Sequence, residues 1–212
     1  MTPDPIVDRL VEDLEPVSRP PSTLASIALW GLASWALVAL LIGTTGSLRP
    51  DALTQLGSVP RYLFECGLGV GVGMVAIAAA LRLATPGAGR PLRVAAPVLL
   101  LIAAWVAAYV YGLWQPALEA TMAGKRPRCF VETLLFSLPP LALGLVLLRR
   151  RAALEPARAA ALAAVAAASL PAVAMQVACM YDPSHALRLH LTPLLVLGAA
   201  GALLGRLLLR KI

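Results

Sequence analysis

The stretch GKRPRCFVETLLFSLPPLALGLVLLRRR, residues 124–151, decides how the chain is read. From Cys129 to Leu148 it holds a single charged residue, Glu132, close to its start. Cations bracket it, with Lys125, Arg126 and Arg128 before it and Arg149, Arg150 and Arg151 after it. At 1.5 Å per residue, about twenty apolar residues in a helix cover the roughly 30 Å of a bilayer's hydrocarbon. The stretch therefore predicts a membrane-spanning helix with both ends in water.

Outward from it the pattern repeats. Apolar runs at 23–45, 62–84, 94–115, 158–181 and 190–209 join 129–148 to make six. Across the 212 residues 59% are hydrophobic and 14% charged, against roughly 25% charged in soluble domains. The expected fold is all-α: a polytopic protein of six transmembrane helices, with residues 1–22 as a tail and 23–212 as the membrane domain. The first run follows an acidic tail and lacks both a basic leader and an A-x-A exit, so it reads as a retained helix. The fifth run is rich in alanine and only mildly apolar, which predicts a helix shielded from lipid by its neighbours.

The net charge of +7 is explained by topology. An even number of spans puts both termini on one side. Of eighteen Lys and Arg, six (Arg49, Arg61, Lys125, Arg126, Arg128 and Arg188) fall on the opposite side, leaving twelve with the termini. The positive-inside rule then places both termini in the cytoplasm of a bacterial-type cell, the spans in its inner membrane among lipid, and no nucleic acid in direct contact.

That orientation puts Cys66, Cys129, Cys179, His185 and His190 on the outer, oxidising side, where disulfides persist. The fourth and fifth spans are joined by a short inner connection and should be antiparallel neighbours, with Cys129 and Cys179 within a helical turn of equal depth. A disulfide between them is geometrically open; a metal ion held by Cys129, Cys179 and His185, or a three-thiolate site that adds Cys66 at similar depth, is an alternative. The cations at Lys125, Arg126 and Arg128, beside a thiol at a helix start, should lower the pKa of Cys129. Cys66, inside GLGVGVG-flanked apolar sequence, reads as a small buried hydrophobe. That glycine run offers small-xxx-small pairs at 67/71 and 69/73 for close helix packing. His185 and His190 are expected in the last outer loop.

The tail, MTPDPIVDRLVEDLEPVSRPPS, predicts a helix of about ten residues starting at Pro5 and ending before Pro16. Val7, Leu10, Val11 and Leu14 share one face and Asp4, Asp8, Glu12 and Glu15 the other. An acidic amphipathic segment suits a protein groove with a basic rim better than an anionic membrane surface. No catalytic signature of the CxxC, HExxH, GxSxG or P-loop kind occurs, and no ionisable group lies at a span's centre as proton-coupled pumps require. The chain is therefore not expected to be an enzyme.

Together, VDRLVEDLEPV in the tail, RPRCF....L.S.PPL....LLRR.A..EP in the fourth span and C..DPSH....H after the fifth resemble the NrsF family of bacterial membrane anti-sigma factors. The resemblance implies that the tail helps hold an ECF-type sigma factor, and the apolar stripe of Val7, Leu10, Val11 and Leu14, closed by Pro16, is the expected holding surface. It also implies that Cys129 and Cys179 sense oxidative or heavy-metal stress, with no cofactor beyond a regulatory metal ion. Cys66 stands outside the family pattern. A membrane thiol-disulfide oxidoreductase and a small-solute transporter are the rival expectations.

Overall fold

A computed structural model describes residues 21–209, apart from Ser47, Pro86, Ala88 and Ala152. The tail positions Val7, Leu10, Val11, Leu14 and Pro16 lie outside the described residues. Helix α1, Thr23–Thr45, opens at Ser22, whose Oγ accepts from Ala25 N–H at 3.2 Å, and ends at Gly46. A short α2, Ala52–Ser58, leads into α3, Pro60–Leu83. Then come α4, Pro91–Gly112, α5, Cys129–Arg149, and α6, Pro156–Ala178. The last helix, α7, is Pro183–Leu208, and its Ala186–Leu191 segment is wound as a π-helix. Proline opens α3, α4, α6 and α7, where its missing N–H costs nothing. All but α2 are long and apolar enough to cross a membrane, so the six expected spans are present.

The sixth span corrects the reading from sequence. It begins at Pro183, and His185 and His190 lie on it as helical residues, not in a loop. Asp182 starts it by accepting from Ser184 N–H at 2.8 Å. Ser184, His185, Arg188 and His190 dilute the apolar signal of its first turns, which moved the apparent start to His190.

Helix α6 is the hub, packed against α1, α3, α5 and α7. In its most apolar stretch 72% of residues are buried within the protein, the expected position for an alanine-rich span. Small residues set the spacing. A Cβ at Gly201 of α7 would lie 2.5 Å from the Ala164 Cβ, and one at Gly205 would lie 2.3 Å from the Pro156 carbonyl, so α7 approaches α6 backbone to backbone. On the other flank Gly69 faces Val173 and Trp105, and Gly73 faces Ser169. Of the two glycine pairs expected in α3, this one makes the contact; Gly67 faces an open groove. In α5, Pro139 and Pro140 withdraw two N–H groups from the ladder, and Trp30 of α1, fully buried, donates its Nε1–H to the Pro140 carbonyl at 2.9 Å.

Candidate functional site

The end of α6, the start of α5 and the start of α7 meet at one end of the bundle. Cys179 is the first residue after α6, extended at φ −95° and ψ 173°, so the chain turns out of the helix and offers its side chain inward. The carbonyls that α6 leaves unpaired there are taken by neighbours. Tyr62 O–H donates to Gln176 O at 3.0 Å, and Arg49 N–H donates to Ala178 O at 3.1 Å. Tyr181 is fixed on both sides: its hydroxyl donates to Glu65 at 3.1 Å and accepts from Ala117 N–H at 2.9 Å. The segment bearing Cys179 is therefore held rigidly before any ligand arrives.

Cys129, the first residue of α5, comes to Cys179 with an Sγ–Sγ distance of 3.0 Å. Both side chains are buried, and both cysteines are free. The Nε2 of His185 lies 3.5 Å from Cys179 Sγ. One donor atom from each of Cys129, Cys179, His185 and His190 falls within 4.8 Å of the others. His190 is 1% exposed, and neither of its ring nitrogens has a hydrogen-bond partner. A buried imidazole without a partner is costly, and its aim at two sulfurs marks it as a ligand in waiting.

The π-helix explains how two histidines five residues apart reach one point. In an α-helix, residues i and i+5 diverge by about 140° around the axis. The i to i+5 hydrogen bonding of a π segment brings such residues onto one side. Here the imidazole centroids stand 5.0 Å apart, edge to face. Sequence reasoning placed only His185 with the thiols; His190 is the last residue of C..DPSH....H, and assigning both histidines to a loop gave no reason to bring it to the same point.

The electrostatics also differ from expectation. Lys125 and Arg128 are exposed, and the Arg126 guanidinium engages Glu132 at 3.0 Å and Thr45 at 3.2 Å. Cys179, just beyond the end of α6, is held well below the ordinary thiol pKa. Its hydrogen bond with Cys129 is the largest cause; burial opposes, and His185, His190 and the Arg126 N–H, 3.4 Å away, add to the lowering. Cys129 Sγ also lies 3.1 Å from the Arg126 carbonyl, so its one proton sits between two acceptors. A thiolate beside a thiol, with two imidazoles at hand, is a four-ligand set of mixed sulfur and nitrogen, the kind that takes zinc-like divalent ions.

Cys66 is not part of this group. It is 5% exposed and lines a separate apolar groove of about 500 Å³ between α1, α2, α3 and α6. A sequence model of the family described as negative regulator of sigma F (NrsF) matches residues 10–210. No curated protein and no solved structure matches the chain.

Proposed function

The chain belongs to the NrsF family of negative regulators of sigma F, and from that premise we propose that it is an inner-membrane anti-sigma factor whose cytoplasmic tail sequesters an ECF-type sigma factor. Val7, Leu10, Val11, Leu14 and Pro16 form the holding surface. The thiol and imidazole group at the opposite end of the bundle is the sensor. The observation that carries this reading is the convergence of Cys129, Cys179, His185 and His190 on one buried point.

Two signals act on that point. The four side chains capture a soft divalent ion of the zinc or cadmium class. For a regular tetrahedron the two sulfurs, 3.0 Å apart, need to open to about 3.8 Å while the wider pairs close to roughly 3.3–3.8 Å. The Sγ–Sγ distance of 3.0 Å favours a second input, in which a peroxide-class oxidant joins the sulfurs, one thiol, one thiolate and one peroxide giving a disulfide, a water and a hydroxide. Metal capture is strong enough. Driving a switch from 99% held to 99% released takes about 5.5 kcal/mol, and zinc sites with thiolate and imidazole ligands yield about 10–16 kcal/mol on binding, whereas a disulfide contributes about 2–4 kcal/mol and shifts the balance less far. The burial of both thiols argues against an oxidoreductase, which must present a sulfur to its substrate.

Reporter induction from the sigma-dependent promoter tests the proposal, alongside cadmium binding by the purified full chain in detergent. Cys129→Ser and Cys179→Ser should each repress normally, bind cadmium poorly and fail to induce, and the double variant should be no worse than either. Full induction from the double variant would refute the sensing role.

A further inference from the structure

The tail joins the bundle through α1, so whatever displaces α1 reaches what the tail holds. Side-chain hydrogen bonds tie α1 down at three depths. At the thiol end, Arg126 donates from Nη1 to Thr45 Oγ1 at 3.2 Å, in the last turn of α1, and its guanidinium lies where a Cβ on Gly46 would come within 3.0 Å. Thr45 uses its own proton on Leu41 O at 2.8 Å, leaving a lone pair for Arg126. Part-way along stands the Trp30 bond to Pro140. At the tail end, Arg151 donates to Pro21 O at 2.7 Å, to Ser26 Oγ at 2.8 Å and to Thr23 Oγ1 at 3.3 Å.

All three partners of α1 come from α5 or its immediate flanks. Arg126 precedes Cys129, Pro140 lies within the helix, and Arg151 follows Arg149 by two residues. Arg126 is also where this lacing touches the sulfurs: its N–H points at Cys179 Sγ and its carbonyl accepts from Cys129 Sγ. We propose that Arg126 is the positioning residue that reports the state of the thiols to α1, and that Arg151 anchors the root of the tail so that α1 transmits the change across the membrane. The proposal rests on the sensing role given above.

The chemistry supplies a common trigger. Ion capture forms a metal–sulfur bond to each cysteine and displaces the proton from Cys129 Sγ. Oxidation by a peroxide-class oxidant forms one sulfur–sulfur bond and breaks the peroxide O–O bond, the two electrons from sulfur and the Cys129 proton going to the peroxide oxygens. In both cases the Cys129 S–H no longer donates to the Arg126 carbonyl, and the turn at 126–129 shifts as that contact is lost. The loop before it has little slack: Gly124 sits at φ +75°, where a Cβ would lie 2.9 Å from Arg49, so the displacement passes along the Arg126 side chain to Thr45.

Thr45→Val removes the acceptor without touching the sulfur site. The full-length variant should bind cadmium with wild-type affinity in detergent and repress normally in cells, yet lose cadmium induction by roughly fivefold or more. Thr45→Ser, which keeps the hydroxyl, should induce like the wild type. Arg151→Leu should behave as Thr45→Val does. Wild-type induction from Thr45→Val, or failure of Thr45→Ser alongside it, would overturn the proposal. Absence of cadmium binding in the wild type, or normal induction from the double cysteine variant, would instead remove the sensing role beneath it.

Discussion

Cys179 and His190 carry the residue-scale consequences. Because the folded-state pKa of Cys179 lies below that of a free thiol, about 8.5, the folded protein holds a thiolate in the pH window between the two values, where an unfolded chain holds a thiol. The stability this contributes is present above the free-thiol value and fades as pH falls through the lowered one. Near pH 7.5, cadmium binding should therefore release about one proton per ion, from Cys129, instead of two; calorimetry in buffers of different ionisation heat counts them. His190→Leu removes the second imidazole from the group, so cadmium affinity should fall by a factor of roughly 100 while the full chain still inserts and represses. The thiols were legible in the sequence because equal depth on antiparallel spans follows from counting residues. His190 and the pKa of Cys179 were not, since both depend on side-chain direction, which spacing alone leaves open.

Among the elements, α7 shows how local winding sets ligand geometry. Deleting Leu189 removes the extra residue of the π segment and leaves the two histidines at i and i+4 of a regular α-helix, about 40° apart on one face. Such a variant should insert, repress and still bind cadmium, a result read from the same detergent titration. Packing gives a second forecast. Gly205→Val drives a side chain into the Pro156 carbonyl, already 2.3 Å from an ideal Cβ, and should cost at least 3 kcal/mol or prevent accumulation in the membrane. The alanine-rich span could be read as shielded because mild hydrophobicity and small side chains have one physical use together. The glycine pair 201/205 passed unremarked because it sits in an ordinary apolar run, and its meaning appears only once α6 is known to be its neighbour.

For the whole molecule, the number of spans was readable from hydropathy, and the twelve-to-six distribution of cations fixes the expected orientation. Fusions at Ile212 check it: a cytoplasmic reporter such as green fluorescent protein should fluoresce there, and alkaline phosphatase should stay inactive. In that orientation Leu10→Asp in the tail should release the sigma factor without stress, since one buried leucine contributes on the order of 1–3 kcal/mol. The pairing of α1 with α5 was beyond sequence reasoning, because hydropathy says which residues cross the membrane and not which crossings touch. One consequence concerns manufacture. The proposed metal ligands come from α5, the end of α6 and α7, and α7 is made after the other two. A chain halted before Pro183 would already own the tail, α1, Arg126, Arg151 and both thiols, but no imidazole. On the sensing role proposed above, such a fragment would repress and would still close a disulfide but would be deaf to metal, so membrane quality control that removes it guards the metal response as much as the fold.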